Sequence, residues 1–209
     1  RDEGRRLVYF RFGSHAPLLD DLDGVEIVKL DASLGFESFA SAVHKIITET
    51  GFGAFYVFDL LTSLLYTWRS DLAVGNFFKV TCPYLFDLDT VAYFGLIRRE
   101  HTFATLAMIR DTTQLLLDVY LIGGETYVHP LKVWLRHSPT MFFPHLLSGD
   151  EADPITSSEA TAAGLVMRRQ NSPNTSIGRN EDAHSPKNIA VASAMMFPLT
   201  NLCGGLEKP

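Results

Sequence analysis

The feature that most constrains this chain is a short apolar run that ends on an acid. Residues 54–58 (AFYVF) are apolar without interruption, and Asp59 follows directly. A strand with no polar alternation leaves no face for water, so it belongs in a sheet covered on both sides. Such sheets are built from parallel strands joined by helical crossovers. Asp59 then stands at the carboxyl end of its strand, which is where open α/β sheets bind their ligands.

The chain up to about residue 147 fits that frame. Residues 7–12 (LVYFRF) form a β-rich run stopped by Gly13, and 25–30 (VEIVKL) alternate like a strand up to Asp31. Between 36 and 50, the apolar residues Phe36, Phe39, Ala40, Val43, Ile46 and Ile47 recur at helical spacing, and Gly51 and Gly53 supply the stop. Helix is expected over part of 71–88, with Pro83 as a breaker. A second buried strand is predicted over 90–97 (TVAYFGLI), then a helix over 103–114 and a strand over 115–122 (LLLDVYLI). Gly123 and Gly124 turn that strand into 126–128, and a last strand over 131–135 follows Pro130. Strands alternating with helices, followed by a hairpin, predict a mostly parallel α/β sheet with an antiparallel edge.

Beyond that point the character changes. Residues 148–188 are rich in Ser, Asn, Asp, Glu, Thr and Pro and poor in aromatics, so they read as a polar linker or disordered tail. Residues 189–206 are apolar again. They suit an element that docks on something, or the entry to a further domain. The expected organisation is an incomplete α/β domain over 1–147, a linker over 148–188 and an unassigned apolar segment over 189–209. The chain has no starting Met and opens on charged residues directly before a strand, so it reads as a fragment.

Composition excludes several classes. The formal net charge of −6 argues against a nucleic-acid surface built on bulk charge. The basic residues Arg1, Arg5 and Arg6 have Asp2 and Glu3 beside them and read as a solvated entry to the first strand. The two cysteines, Cys82 and Cys203, lack CxxC spacing, which argues against a disulfide framework or a zinc site and fits a cytoplasmic location. The apolar region 52–68 carries Asp59 at its centre, so it reads as a buried strand and the segment after it rather than a membrane span. No signal peptide is visible.

Asp59 is the main candidate for chemistry. In P-loop ATPases a carboxylate at a strand end holds the Mg2+ of the bound nucleotide, because Mg2+ prefers hard oxygen ligands. The same position is also a common cap for the following helix, and both readings stand at this point. Thr62 and Ser63 either hydrogen-bond a ligand or continue that cap. His137, beside Arg136 at the end of the last strand, either meets a phosphate or is an ordinary surface residue. The remaining histidines show no HExxH spacing, and no GxSxG elbow is present.

Two runs carry a family resemblance. FYVFDLLTSL, followed by TVAYFGLIRREHTFATLAMIRDTTQLLLDVYLIGGETYVHPLKVWLRHSPTMF, resembles the second half of a RecA/KaiC-like ATPase core. The order matches: a Walker B strand, the next core strand, a helix leading into a strand with Asp118, and a hairpin ending in a basic residue. More closely, RRLVYFRFGSH, GFESFASAVHKII, GAFYVFDLLTSL, SDLAVGNFFKVTCPYLFDLDTVAYF and HPLKVWLRHSPTMFFPH resemble the KaiC-like N-terminal region of proteins named phosphoenolpyruvate synthase or pyruvate, phosphate dikinase. The similarity spans roughly residues 5–147.

The resemblance implies ATP and Mg2+ as ligands, with Asp59 on the metal and Arg136 acting across a subunit interface. It implies other domains of a parent protein as partners, and a homo-oligomer. Three departures count against full activity. No GxxxxGK[ST] loop occurs, either lost or lying upstream of the 7–12 strand in a longer chain; Gly13-Ser14-His15 stands where an acidic pair would activate water; and Trp134 stands where a Lys would precede Arg136. The expected function is therefore a degenerate nucleotide-binding or regulatory module. The alternatives are a fragment of an active ATP-dependent kinase or ATPase, and a structural oligomerisation domain.

Overall fold

The apolar runs pair into one parallel sheet. The computed structural model describes residues 4–19, 24–97, 99–135, 139–148, 151–154, 163, 164 and 167. Strands β1 (Leu7–Arg11), β2 (Val25–Lys29), β3 (Phe55–Leu60) and β4 (Val91–Gly95) lie in the order β2-β1-β3-β4, every pair parallel. Helix α1 (Phe36–Thr50) joins β2 to β3, and α2 (Leu61–Trp68) and α3 (Asp71–Asp87) join β3 to β4.

The direction of these crossovers decides which face is covered. From β2 to β3 and from β3 to β4 the chain steps the same way across the sheet. Right-handed crossovers therefore put α1, α2 and α3 on the same face. Their side chains Phe39, Val43, Ile47, Leu64, Phe77 and Phe78 share one core with Val8, Phe10, Tyr56, Phe58, Ala92 and Phe94 of the sheet. Aromatic rings dominate it. Phe58 stacks on Phe94 with centroids 4.2 Å apart and lies 4.8 Å from Phe10. The step from β1 to β2 runs the opposite way and so crosses the other face. Among the described residues of this connection, 12–19 and 24, there is no helix. The pleat places Leu7, Tyr9, Phe55, Val57, Val91 and Tyr93 on that second face; Tyr9 and Val91 are buried and the other four half-buried.

The hairpin does not form an edge of the parallel sheet, as the sequence suggested. Strands β5 (Leu115–Ile122), β6 (Glu125–Val133), β7 (His145–Ser148) and β8 (Glu151–Pro154) form a separate antiparallel sheet in that order. Helix α4 (Phe103–Thr112) packs along α3 and carries the chain away from β4, so the hairpin finds its next partner in β7. Lys132 of β6 donates to the carbonyls of Arg110 (2.6 Å) and Asp111 (3.2 Å), tying the new sheet to the last turn of α4. Tyr120 and Tyr127 stack across the hairpin with centroids 5.8 Å apart and make a small second core with Ile122 and Leu146.

Two prolines behave differently from expectation. Helix α3 runs through Pro83, because Thr81, Cys82 and Leu85 on both sides of it are fully buried and hold the helix in place. Pro130 lies inside β6 instead of preceding a strand. It faces the register shift between Leu116 and Leu117, and β7 pairs only with Thr126–Val128, so its missing N–H is not required on that side. Strand β8 carries ordered backbone to Pro154, into the stretch read as linker. The readings made for the rest of 155–209 lie outside the described residues, apart from residues 163, 164 and 167. Among the described residues no helix is long and apolar enough to cross a membrane.

The aromatic stack gives a stability test. Phe58→Ala removes the ring between Phe10 and Phe94 and is expected to cost about 3–5 kcal/mol. Phe52→Ala, at a side chain 77% exposed, is expected to change stability by less than about 0.5 kcal/mol. Urea denaturation of both variants reads the contrast, and equal losses would contradict this core.

Candidate functional site

The strand order reverses between β1 and β3, since β2 follows β1 on one side and β3 lies on the other. The crevice outside the carboxyl ends at such a point is where open α/β sheets place a ligand. Asp59 stands there. The register of β3 against β4 shifts between Phe58 and Leu60, which leaves Asp59 out of the regular ladder.

The Asp59 side chain is fully buried and its oxygens are occupied. Oδ1 accepts from the Tyr9 hydroxyl at 2.6 Å. Oδ2 accepts from Arg11 Nη1 at 2.5 Å, from the Gly13 N–H at 2.7 Å and from the Phe12 N–H at 3.0 Å. Oδ2 thus takes three donors and Oδ1 one, and burial with the Arg11 pairing shuts the group away from solvent. His15 Nε2 is 3.5 Å from Oδ1, too far for a hydrogen bond.

The donors are themselves tied down. The second arm of Arg11 donates to the His15 carbonyl, and the Tyr9 hydroxyl accepts from the Leu18 N–H at 3.0 Å. Burial, helped by the bond to Asp59, pushes the Tyr9 phenol up to about 12, so it keeps its proton and acts as a donor. The loop after β1 is thereby stitched to the end of β3. Gly13 leaves room for this close approach. A Cβ there would lie 2.5 Å from the His15 ring and 2.7 Å from Ser63 Oγ.

This geometry removes the capping reading of Asp59. The residue at the N-cap of α2 is Leu60, with no side-chain cap bond, because the Asp59 oxygens are committed to the backbone of Phe12 and Gly13. Thr62 does not continue a cap either. It is fully buried; its Oγ1 accepts from the Ile97 N–H at 2.9 Å and meets His101 Nε2 at 2.8 Å. Ser63 sits against Gly13, at the edge of the Asp59 cluster. Arg136 and His137 lie outside the described residues.

Sequence reasoning missed a second cluster. His101 Nδ1 meets Asp71 Oδ1 at 2.6 Å, and Asp71 Oδ2 accepts from the Thr102 N–H (2.8 Å) and hydroxyl (2.6 Å). The order Thr62, His101, Asp71 is that of a hydrolase relay. Thr62, however, is inaccessible, and its oxygen already accepts from Ile97. The cluster works as a bracket joining α2, the end of β4 and the first turns of α3 and α4. Burial pushes the Asp71 carboxyl up, but the bonds from Thr102 and His101 outweigh it and hold the group at about 2.

A cavity of about 610 Å³ opens beside Asp59 over the ends of β1 and β2. Arg11 and Lys29 line it and face each other in register across the two strands, with Tyr9, Ile27 and Leu19 as apolar wall. Its size and mixed lining suit a small organic anion. Among the described residues no group of three or more His, Cys, Asp or Glu converges as a metal site. With Asp59 fully buried and paired with Arg11, the residues present do not fit a Mg2+ ion. One sequence signal pointed to the cluster: Arg11 is the sole charge in LVYFRF, and a cation in an apolar strand requires an acid nearby.

Two measurements follow. Arg11→Ala and Asp59→Ala each strand a buried charge or its donors and should each cost about 3–5 kcal/mol. The double variant should cost clearly less than their sum; strict additivity in a double-mutant cycle would disprove the pairing. Asp71 gives a pH test. Its folded value lies below the unfolded one, so its contribution is present above about pH 4 and is lost as pH falls toward 2. The stability gap between the natural chain and Asp71→Asn should therefore narrow over that window, and a constant gap would contradict the bracket.

No protein-family model matches the chain, and no curated protein matches it.

Proposed function

We propose that this chain is a degenerate RecA/KaiC-like module that binds or regulates and does not hydrolyse, and that it serves a phosphoenolpyruvate synthase or pyruvate, phosphate dikinase-like protein. One observation carries the reading. The carboxylate at the Walker B position is closed by four internal donors, Arg11 among them. A magnesium ligand must present free oxygens to the ion or to its waters. Asp59 instead fastens the loop after β1 to the sheet. Gly13-Ser14-His15, where an acidic pair would stand, agrees with this.

The binding part of the proposal belongs to the cavity over β1 and β2. Arg11 and Lys29 supply positive charge, and Tyr9 and Ile27 supply apolar surface. ATP is the anion that the resemblance implies. In this arrangement its phosphates would meet Arg11 and Lys29, with no metal held by Asp59.

The active-ATPase reading draws on the place of Asp59 at the strand-order reversal. It requires Arg11 to release Asp59, which gives a discriminating variant. Calorimetric titration of the full chain with ATP, with and without Mg2+, is expected to show the same affinity in both conditions and no turnover. Lys29→Ala should weaken any ATP binding, and Arg11→Ala should not create Mg2+ dependence. Tight Mg2+-dependent binding with turnover that disappears in Asp59→Ala would overturn the proposal in favour of an ATPase fragment.

A further inference from the structure

A groove between the last turns of α3 and α4 is a feature the proposed function does not use. Helix α3 starts at the carboxyl edge of the parallel sheet, where Asp71 joins the His101 bracket, and ends just before β4 begins. Asp87, its last residue, therefore lies at the opposite edge from Asp59. The groove holds about 330 Å³, and Pro83, Phe86 and Asp87 of α3, Asp111 of α4, Lys132 of β6 and the adjoining Trp134 line it. That volume is at the lower end of small-molecule sites.

The polar groups left uncommitted decide what such a groove can take. Lys132 donates to the carbonyls of Arg110 and Asp111, so its ammonium is occupied at the end of α4. The Thr112 hydroxyl donates to the Met108 carbonyl, and the Thr113 hydroxyl to the Leu115 carbonyl. The Gln114 carbonyl accepts from the Trp134 N–H at 2.9 Å, which fixes Trp134 in the wall. Two carboxylates remain. Asp87 is exposed and has no ion pair among the described residues. The Asp111 side chain is 72% exposed and meets Arg110 Nε at 3.5 Å, a long surface contact of little strength.

Two acids against one ammonium leave the groove net negative. Both helices also end here, and each adds the negative end of its dipole. The rest of the wall is apolar, and Trp134 is 40% exposed. An indole beside carboxylates suits an organic cation, because ring and acid both attract the same group. A guanidinium answers both best. It is planar, stacks on aromatic faces and pairs with a carboxylate through two parallel N–H bonds.

We propose that this groove binds a guanidinium group, with Asp87 and Asp111 taking its charge and Trp134 its flat face. The group belongs either to a free arginine-like compound or to an arginine side chain of another protein. Its charge is opposite to that of the anion assigned to the Arg11 and Lys29 cavity.

Nuclear magnetic resonance of the full chain tests this, because the chain has only two tryptophans. Trp68 donates its indole N–H to the Ala32 carbonyl at 2.9 Å, away from the groove, and serves as the control. Titration with N-acetyl-arginine amide should shift the Trp134 indole signal to saturation and leave that of Trp68 in place. The uncharged citrulline analogue should shift neither. Asp87→Asn and Asp111→Asn, both at exposed positions, should each weaken binding by about fivefold. An unchanged Trp68 signal in each variant reports an intact fold. A capped five-residue peptide with one arginine among glycines separates the sources: tighter binding than the amide points to a protein side chain, and weaker binding to a free compound. No saturable shift at Trp134, an equal response to the citrulline analogue, or unchanged binding in the double Asn variant would overturn the proposal. None of these readouts involves ATP, so failure here is separable from failure of the regulatory reading.

Discussion

The buried carboxylate of Asp59 organises the carboxyl edge of the sheet. An ionised acid in a dry position must find donors, and here they come from the neighbouring strand and from the loop that leaves it. Arg11 supplies the opposite charge, Tyr9 a hydroxyl, and Phe12 and Gly13 their backbone N–H groups. The loop 12–19 contains no helix or strand, so these bonds do much of the work of fixing its start. Gly13 lies in the same close approach, where a side chain would displace the His15 ring and the Ser63 hydroxyl. A carboxylate used in this way holds structure together, buried and with three donors on one of its oxygens.

A few residues away, the Thr62–His101–Asp71 bracket solves a related problem. Four elements, α2, β4, α3 and α4, meet at the same edge of the sheet, each with unpaired backbone groups at its end. Asp71 accepts from Thr102, at the entry to α4, and Thr62 accepts from Ile97, just past β4. In both clusters the carboxylate takes hydrogen bonds from its neighbours, which is the condition for its burial. The accessible chemistry lies beside them, in the cavity that Arg11 and Lys29 line.

Much of the fold was legible because the strands are short and apolar and the main helix is periodic. The spacing of Phe39, Val43 and Ile47 placed α1, and the run 54–58 placed β3 with Asp59 at its end. What escaped was non-local. Nothing in LLLDVYLI says whether it joins the parallel sheet or begins another, since strand pairing depends on where α4 delivers the chain. The prolines were misread because burial of Cys82 and Leu85, and the edge position of Pro130, outweigh local propensity. In the site, Asp59 was visible from its position, but its partners lie 46 or more residues away in sequence. Arg11 was the readable clue, as a lone cation in an apolar strand. Asp71 and His101 looked like a helix start and a scattered histidine, and only the packing of α3 against α4 brings them together.

The central claim is that Asp59 is closed to metal by its own neighbours. Its most direct test is paramagnetic. Mn2+ stands in for Mg2+ and broadens the amide signals of nearby residues in nuclear magnetic resonance spectra. Titrating the full chain with Mn2+ and ATP should leave the Phe12 and Gly13 amides, which donate to Asp59, as sharp as those of residues on the far ends of β1 and β3. Selective loss of the Phe12 and Gly13 signals, reversed in Asp59→Ala, would place a metal ion on that carboxylate and contradict the account.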